Sequence, residues 1–88
     1  MRTITLELAN IETVRALHIY LAYMLDFPAY YGKNLDALHD LLTEIGEDTR
    51  IIVRSAGARG ETAACLPRLL QVLQDAAGEN PRLTLIQA

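Results

Sequence analysis

The fold of this chain is decided by one stretch, Tyr30-Tyr31-Gly32-Lys33-Asn34-Leu35-Asp36-Ala37-Leu38-His39-Asp40. It reads as an aromatic loop that runs into a capped helix. Asn34 suits the N-cap position, because its side-chain oxygen can accept an unpaired amide hydrogen of the first turn. Apolar residues then recur at helical spacing on one side of a helix that is predicted to end near Gly46; they are Leu35, Leu38, Leu41, Leu42 and Ile45.

The opposite side of this helix carries carboxylates that helix energetics alone does not favour. Asp36, Asp40 and Glu44 are spaced one turn apart, with no Lys or Arg between them. Like-charge pairs at that spacing cost a helix roughly 0.2–0.5 kcal/mol each, and the helix dipole offsets this cost only near the N-terminus. A local cost without visible compensation indicates a functional surface.

Strand-like and helix-like segments alternate around this stretch. Residues 2–8 alternate apolar and polar side chains as a strand does. Asn10 is a candidate cap for a following helix, which Pro28 ends because the residue before a proline avoids helical geometry. The apolar stripe of that helix consists of Val14, Leu17, Leu21, Met24 and Leu25.

The second half of the chain continues this alternation. The β-branched run in residues 50–54 is typical of a short buried strand, and residues 83–86 predict a last strand. A helix is expected within residues 62–77, with Gly78 as its stop. Pro67 leaves two possibilities open: the regular helix begins there, or a preceding turn is kinked there. Strands separated by helices predict an α/β fold with a small parallel sheet.

Size and composition indicate one small domain that spans residues 1–88. With 88 residues and 51% hydrophobic content, the chain can bury a single core without metal or disulfides. Cys65 is the only cysteine, so no intramolecular disulfide can form, which mildly favours a reducing compartment. We expect Cys65 to be a small buried apolar residue rather than a nucleophile. Nothing resembles a signal peptide or a membrane span, so a soluble cytoplasmic protein is expected.

The formal charge of −3 is unevenly distributed along the chain. Residues 1–49 hold eight acids against three bases, whereas residues 50–88 hold three acids against five arginines. An acidic half disfavours direct binding of nucleic acid, which requires a basic face. It suits a cationic partner, although ordinary solubility accounts for the same charge.

Candidate enzyme and metal sites are sparse. The chain has no glycine-rich phosphate loop, no paired-cysteine metal pattern and no nucleophile elbow. Asp36, His39 and Asp40 offer part of a metal site, but no further ligand is evident nearby. His18 is expected to be a hydrogen-bonded residue at the edge of the core. Tyr30 and Tyr31 are equally compatible with core and contact positions.

The segments Tyr30-Tyr31-Gly32 and Asn34-Leu35-Asp36-Ala37-Leu38, with Asp40, together resemble the central motif of the barstar family. Barstar is the intracellular inhibitor of the ribonuclease barnase. The resemblance covers essentially the whole chain and implies a small barstar-like domain, with a three-stranded parallel sheet packed with about three to four helices. It implies an inhibitor rather than an enzyme, of the immunity or antitoxin type, that acts in the cytoplasm. Such a monomer binds a small basic ribonuclease 1:1, without cofactor, metal, nucleic acid or membrane.

The resemblance also implies which residues contact the ribonuclease. Asp40 matches the aspartate that takes the place of a substrate phosphate among the Arg and His side chains of the enzyme. Asp36 and Tyr30 match flanking contacts, and Asp75 matches an acidic contact from the later helix. The predicted partner-binding set is Tyr30, Tyr31, Gly32, Lys33, Asn34, Asp36, His39, Asp40, Thr43, Glu44 and Asp75.

Two departures from the family pattern concern specificity. Lys33 stands where barstar has a glutamate, and His39 stands where it has a tryptophan. Reversing a charge and losing a large aromatic contact can redirect an interface to another partner. A barstar-like adaptor that binds a different basic protein, without nuclease inhibition, is therefore the alternative hypothesis.

Overall fold

The chain alternates strands and helices in the order that the sequence predicts. The computed structural model describes all 88 residues. Its elements are β1 (Arg2–Glu7), α1 (Val14–Leu25), α2 (Leu35–Thr43), β2 (Thr49–Arg54), α3 (Gly60–Glu79) and β3 (Leu83–Gln87). The predicted α/β fold is confirmed, with three helices. None of these helices has the length and apolarity that crossing a bilayer requires.

The three strands form one parallel sheet in the order β1-β2-β3. Ile51, in the central strand, lies opposite Ile4 of β1 and Leu85 of β3. Because each strand is placed beside its predecessor and parallel crossovers are right-handed, successive crossovers are expected on the same face of the sheet. Burial agrees, since the inward residues Ile4, Ile51 and Val53 are buried.

The outer face of the sheet is solvated. Ile52, in the run that is typical of a buried strand, is only half-buried because it points away from the helices. Its exposed neighbours on that face are Thr3, Thr5, Glu7, Arg50, Arg54, Thr84 and Ile86. The predicted burial of the strand in residues 50–54 thus holds for one face of β2 only, because all three helices pack on one side.

The core lies between this sheet and the helices. Each helix contributes a stripe of leucines, and the leucine side chains of α2 reach the core from its inner face. The core side chains of the helices are Leu17, Leu21 and Leu25 from α1, Leu38 and Leu42 from α2, and Leu69, Leu73 and Ala76 from α3. At roughly 1.5–3 kcal/mol for each fully buried leucine, these stripes provide most of the force that holds the helices in place.

Several predicted helix ends are wrong, each for a local reason. The cap of α1 is Thr13, whose Oγ1 accepts from the amide of Ala16 at 3.1 Å. Asn10 instead adopts a φ of 68° in the preceding turn, a conformation that asparagine tolerates. α2 ends at Thr43 rather than near Gly46, because the amides of the next two residues bond three residues back and tighten the last turn.

The third helix is longer than the sequence predicts. It begins at Gly60 and continues through Pro67 and Gly78 to Glu79. Pro67 thus lies inside one helix, so the prediction that the regular helix begins at this residue is wrong. Gly78 is not the stop, because the cap is Asn80, a buried residue with bonds to another helix.

Candidate partner-binding face on the second helix

The loop before α2 is held by the residue that caps the helix. Asn34 Oδ1 accepts from the amide of Ala37 at 2.7 Å, and Asn34 Nδ2 donates to the carbonyl of Gly32 at 3.2 Å. This confirms Asn34 as the N-cap. Lys33 is exposed and takes a left-handed φ of 54°. One side chain therefore fixes both the start of the helix and the path of the loop leading to it.

The two tyrosines of the loop have different environments. Tyr30 is 78% exposed, whereas Tyr31 is only 6% exposed. The Tyr31 ring packs against Phe27 with centroids 5.0 Å apart, and its hydroxyl is hydrogen-bonded to His18 Nδ1 at 2.6 Å. Tyr31 thus supports the loop from beneath, and only Tyr30 presents its ring to solvent.

Burial also sets the protonation of the pair beneath the loop. His18 is the hydrogen-bonded histidine at the core edge that the sequence predicts. Burial lowers the pKa of the His18 imidazole below its ordinary value of 6.5 and raises the pKa of Tyr31 to about 12. Both groups are therefore neutral at neutral pH, and the loop rests on an uncharged support.

The acidic stripe of α2 faces solvent as predicted. Asp36, Asp40 and Glu44 are all exposed, and no Lys or Arg nitrogen lies within 4.0 Å of their carboxylates. The side chain of Asp40 is 80% exposed. Thr43 Oγ1 donates to the carbonyl oxygen of Asp40 at 2.8 Å, so the hydroxyl hydrogen of this threonine is already bonded within the helix. The stripe consists of negative charges that the protein itself leaves without a Lys or Arg partner.

Helix α3 brings further carboxylates to the same region. Asp75 is exposed, and its Oδ1 accepts from Gln71 Nε2 at 2.8 Å. Glu79 follows one turn later and contacts the His39 imidazole of α2. The sequence analysis missed Glu79, although its i+4 spacing from Asp75 places both acids on one stripe of a helix. We call the set Asp36, His39, Asp40, Asp75 and Glu79 the acidic face.

His39 lies between the two acidic helices. Its Nε2 is hydrogen-bonded to Glu79 Oε2, and its Nδ1 lies 3.7 Å from Asp40 Oδ1. The hydrogen bond to Glu79 is the main reason why the pKa of His39 is raised above 6.5, and the nearby charge of Asp40 adds to this effect. The side chain remains 31% exposed. His39 is thus a potential cation in the middle of the acidic face.

Asn80 anchors the other end of α2 and was also missed. Its Nδ2 donates to the carbonyls of Leu42 and Ile45, both at 3.0 Å, and its Oδ1 accepts from the amide of Arg82 at 3.0 Å. The carbonyls at a helix end lack the usual partners within the helix, and Asn80, the cap of α3, supplies a second donor to Leu42 and a donor to Ile45. No sequence signal reveals this role, because the carbonyls lie 35 or more residues away.

The metal hypothesis gains no support from the geometry. Asp36, His39 and Asp40 do not converge on a point, since the His39 ring turns toward Glu79. No group of three or more His, Cys, Asp or Glu side chains is arranged to hold a metal ion. Cys65 is half-buried, with its Sγ 3.5 Å from the carbonyl oxygen of Thr62.

Comparison with known proteins identifies relatives of this chain. A model of the family described as "Barstar (barnase inhibitor)" matches residues 1–86. A protein of Bacillus subtilis (strain 168) with the name "Putative ribonuclease inhibitor YrdF" is 51% identical over 43 residues. These residues make up 49% of this chain and 47% of that protein, so the match spans about half the length of each.

Proposed function

Because this chain belongs to the Barstar family, we propose that it inhibits a small ribonuclease by inserting α2 and the loop before it into the cationic active site of the enzyme. The observation that carries this proposal is the exposed Asp40 carboxylate, which has no Lys or Arg partner on a helix anchored at both ends. The chain acts by occlusion, without a catalytic step of its own.

Electrostatic complementarity supports this mechanism. A ribonuclease cleft must hold phosphates, so it presents Arg, Lys and His side chains. A carboxylate accepts charge-assisted hydrogen bonds from the same donors. Asp40 therefore takes the role of a phosphate, with Asp36 and Asp75 as flanking acids. The remaining negative charge of the face accelerates encounter with a basic enzyme and repels acidic proteins.

Preorganisation supports it as well. Asn34 holds the N-terminus of α2, Asn80 holds its C-terminus, and Leu38 and Leu42 fix its inner side. An inhibitor that is already in its bound conformation loses less entropy on association. Tyr30 supplies a large exposed ring at the edge of the face, the kind of residue that dominates binding energy in many interfaces.

The proposal has a biological setting that follows from its chemistry. A ribonuclease inhibitor protects RNA in the compartment where RNA is abundant, so we place this protein in the cytoplasm, as an immunity or antitoxin partner of a ribonuclease. We expect a monomer that binds one enzyme molecule. Gly32, Lys33, Asn34, Thr43 and Glu44 complete the proposed contact surface around Asp40.

The test is inhibition of RNA cleavage, with barnase as the probe enzyme. Asp40→Asn should weaken inhibition by at least about 30-fold, because loss of one partner of a desolvated charge pair costs about 2–5 kcal/mol. Glu12→Gln is the matched control: it also removes one negative charge, but from the segment before α1, and it should leave inhibition within about twofold. Equal inhibition by wild type and Asp40→Asn would refute the proposal that Asp40 inserts into the active site of the enzyme.

A second candidate function rests on Lys33 and His39. These residues bring potential positive charge to the edge and the centre of the face, which favours a partner other than a uniformly cationic cleft. This mixed charge suits a barstar-like adaptor that binds a different basic protein. Failure to inhibit barnase, together with Asp40-dependent capture of a non-nuclease protein, would favour the adaptor.

A further inference from the structure

The acidic face contains a residue, His39, that competes with a cationic partner for the same carboxylates. Both ring nitrogens of His39 are directed at carboxylates, Nε2 at Glu79 of α3 and Nδ1 at Asp40 of α2. On the same helices Asp36 lies three residues before His39 and Asp75 four residues before Glu79, and both are exposed acids. A protonated His39 is thus neutralised within the protein, by the groups that an incoming arginine or lysine needs.

We infer that His39 acts as a proton-operated competitor: a cationic partner binds the acidic face by displacing the His39 ring from Glu79, and this docking releases the His39 proton. His39 then sets how cationic the partner must be, because only a strong cation displaces its ring from Glu79. The identity of the partner as a ribonuclease rests on the proposed function, but the competition itself rests on the geometry of the face.

Linkage gives the inference its measurable form. If protonation of His39 weakens docking of a cation, then docking must weaken protonation of His39 by the same factor. The hydrogen bond to Glu79 raises the pKa of His39, so the free protein keeps this proton to a higher pH than an ordinary imidazole does. Affinity for a cationic partner should therefore increase as the pH rises through the His39 titration, by about tenfold for each unit by which docking lowers the pKa.

The test uses the whole protein and a deca-arginine peptide, with both histidine rings followed by NMR. The peptide should shift resonances of α2 and lower the pKa of His39, while the buried His18 ring titrates as before and serves as the internal control. In Glu79→Gln the pKa of free His39 should fall. In His39→Asn, affinity for the peptide should lose its pH dependence between about pH 5.5 and about pH 8.

Two results would overturn the inference: an unchanged His39 pKa when the peptide occupies the face, or no peptide-induced shifts on α2 at all. Barnase then separates the inference from the proposed function. Inhibition that weakens on acidification in wild type more than in His39→Asn supports both. A peptide-dependent His39 pKa without inhibition of barnase at any pH supports the competitor and refutes inhibition of barnase.

Discussion

Replacing Asn80 by alanine should destabilise the protein by freeing the carboxyl end of α2. The buried Asn80 amide spans two elements: its Nδ2 donates to the carbonyls of Leu42 and Ile45, and its Oδ1 accepts from the amide of Arg82. Alanine keeps the backbone of the site but supplies neither donor nor acceptor. The last turn of α2 and its cap residue Glu44 then lose the side-chain hydrogen bonds that connect them to the end of α3.

The magnitude follows from the three hydrogen bonds. Each contributes about 1 kcal/mol net, so their loss should lower the free energy of unfolding by about 3 kcal/mol. For a domain of this size each kcal/mol corresponds to about 4–8 °C in Tm, which predicts a fall of about 12–24 °C. A change this large is a substantial fraction of the stability of a small domain.

Urea unfolding followed by circular dichroism measures this change directly. Asn80→Asp separates the donor from the acceptor: aspartate keeps an oxygen for the Arg82 amide but turns two donors into repelled acceptors at the helix C-terminus. It should therefore be at least as destabilising as alanine. Gln74→Ala, at an exposed position of α3, is the control and should change stability by less than about 0.5 kcal/mol. A loss below about 0.5 kcal/mol for Asn80→Ala, or a more stable Asn80→Asp than Asn80→Ala, contradicts the reasoning.

Two glycines, and separately two histidines, should affect the stability of the protein in opposite directions. Gly60→Ala should destabilise by at least about 1–3 kcal/mol, because φ is 56° and the new Cβ would lie 2.7 Å from the carbonyl oxygen of Glu12. Gly78→Ala has no atom within 4 Å of its Cβ and should stabilise by about 0.5–1 kcal/mol in the same thermal unfolding assay; similar effects of the two changes would be evidence against this account. The pKa of His18 is lowered by burial, so its contribution to stability should be complete above 6.5 and lost as pH falls through the lower folded-state pKa. The pKa of His39 is raised, so its contribution should be complete below 6.5 and lost as pH rises through the folded-state pKa. Unfolding at several pH values with His18→Phe and His39→Asn checks the two signs, and slopes of the same sign would contradict them.

The order of elements and the centre of the candidate face could be predicted from the sequence alone. Three of these features depend only on neighbours within about four positions, so a local pattern predicts them: the alternation in residues 2–8, the leucine spacing in α2 and the Asn34 cap. The acidic stripe of Asp36 and Asp40 is legible for the same reason. The motif that resembles the barstar family lies in this locally determined part of the chain.

Tertiary structure decided what those residues contact. It buried Tyr31 and exposed Tyr30, which local pattern treats alike, because only one of the two rings can reach His18 and Phe27. It also carried one helix through Pro67, since the packing of an amphipathic face outweighs the loss of one backbone hydrogen bond.

The same holds for the link between the two acidic helices. His39 meets Glu79, and Asn80 meets the end of α2, across 35 to 40 positions of sequence. These contacts exist because the strand order places the crossover helices side by side on one face of the sheet, where α2 and α3 pack together. The sequence by itself determined an acidic, tyrosine-edged helix. Only the fold determined which histidine and which carboxylate neutralise each other on it, because that depends on a distance in space that no local spacing encodes.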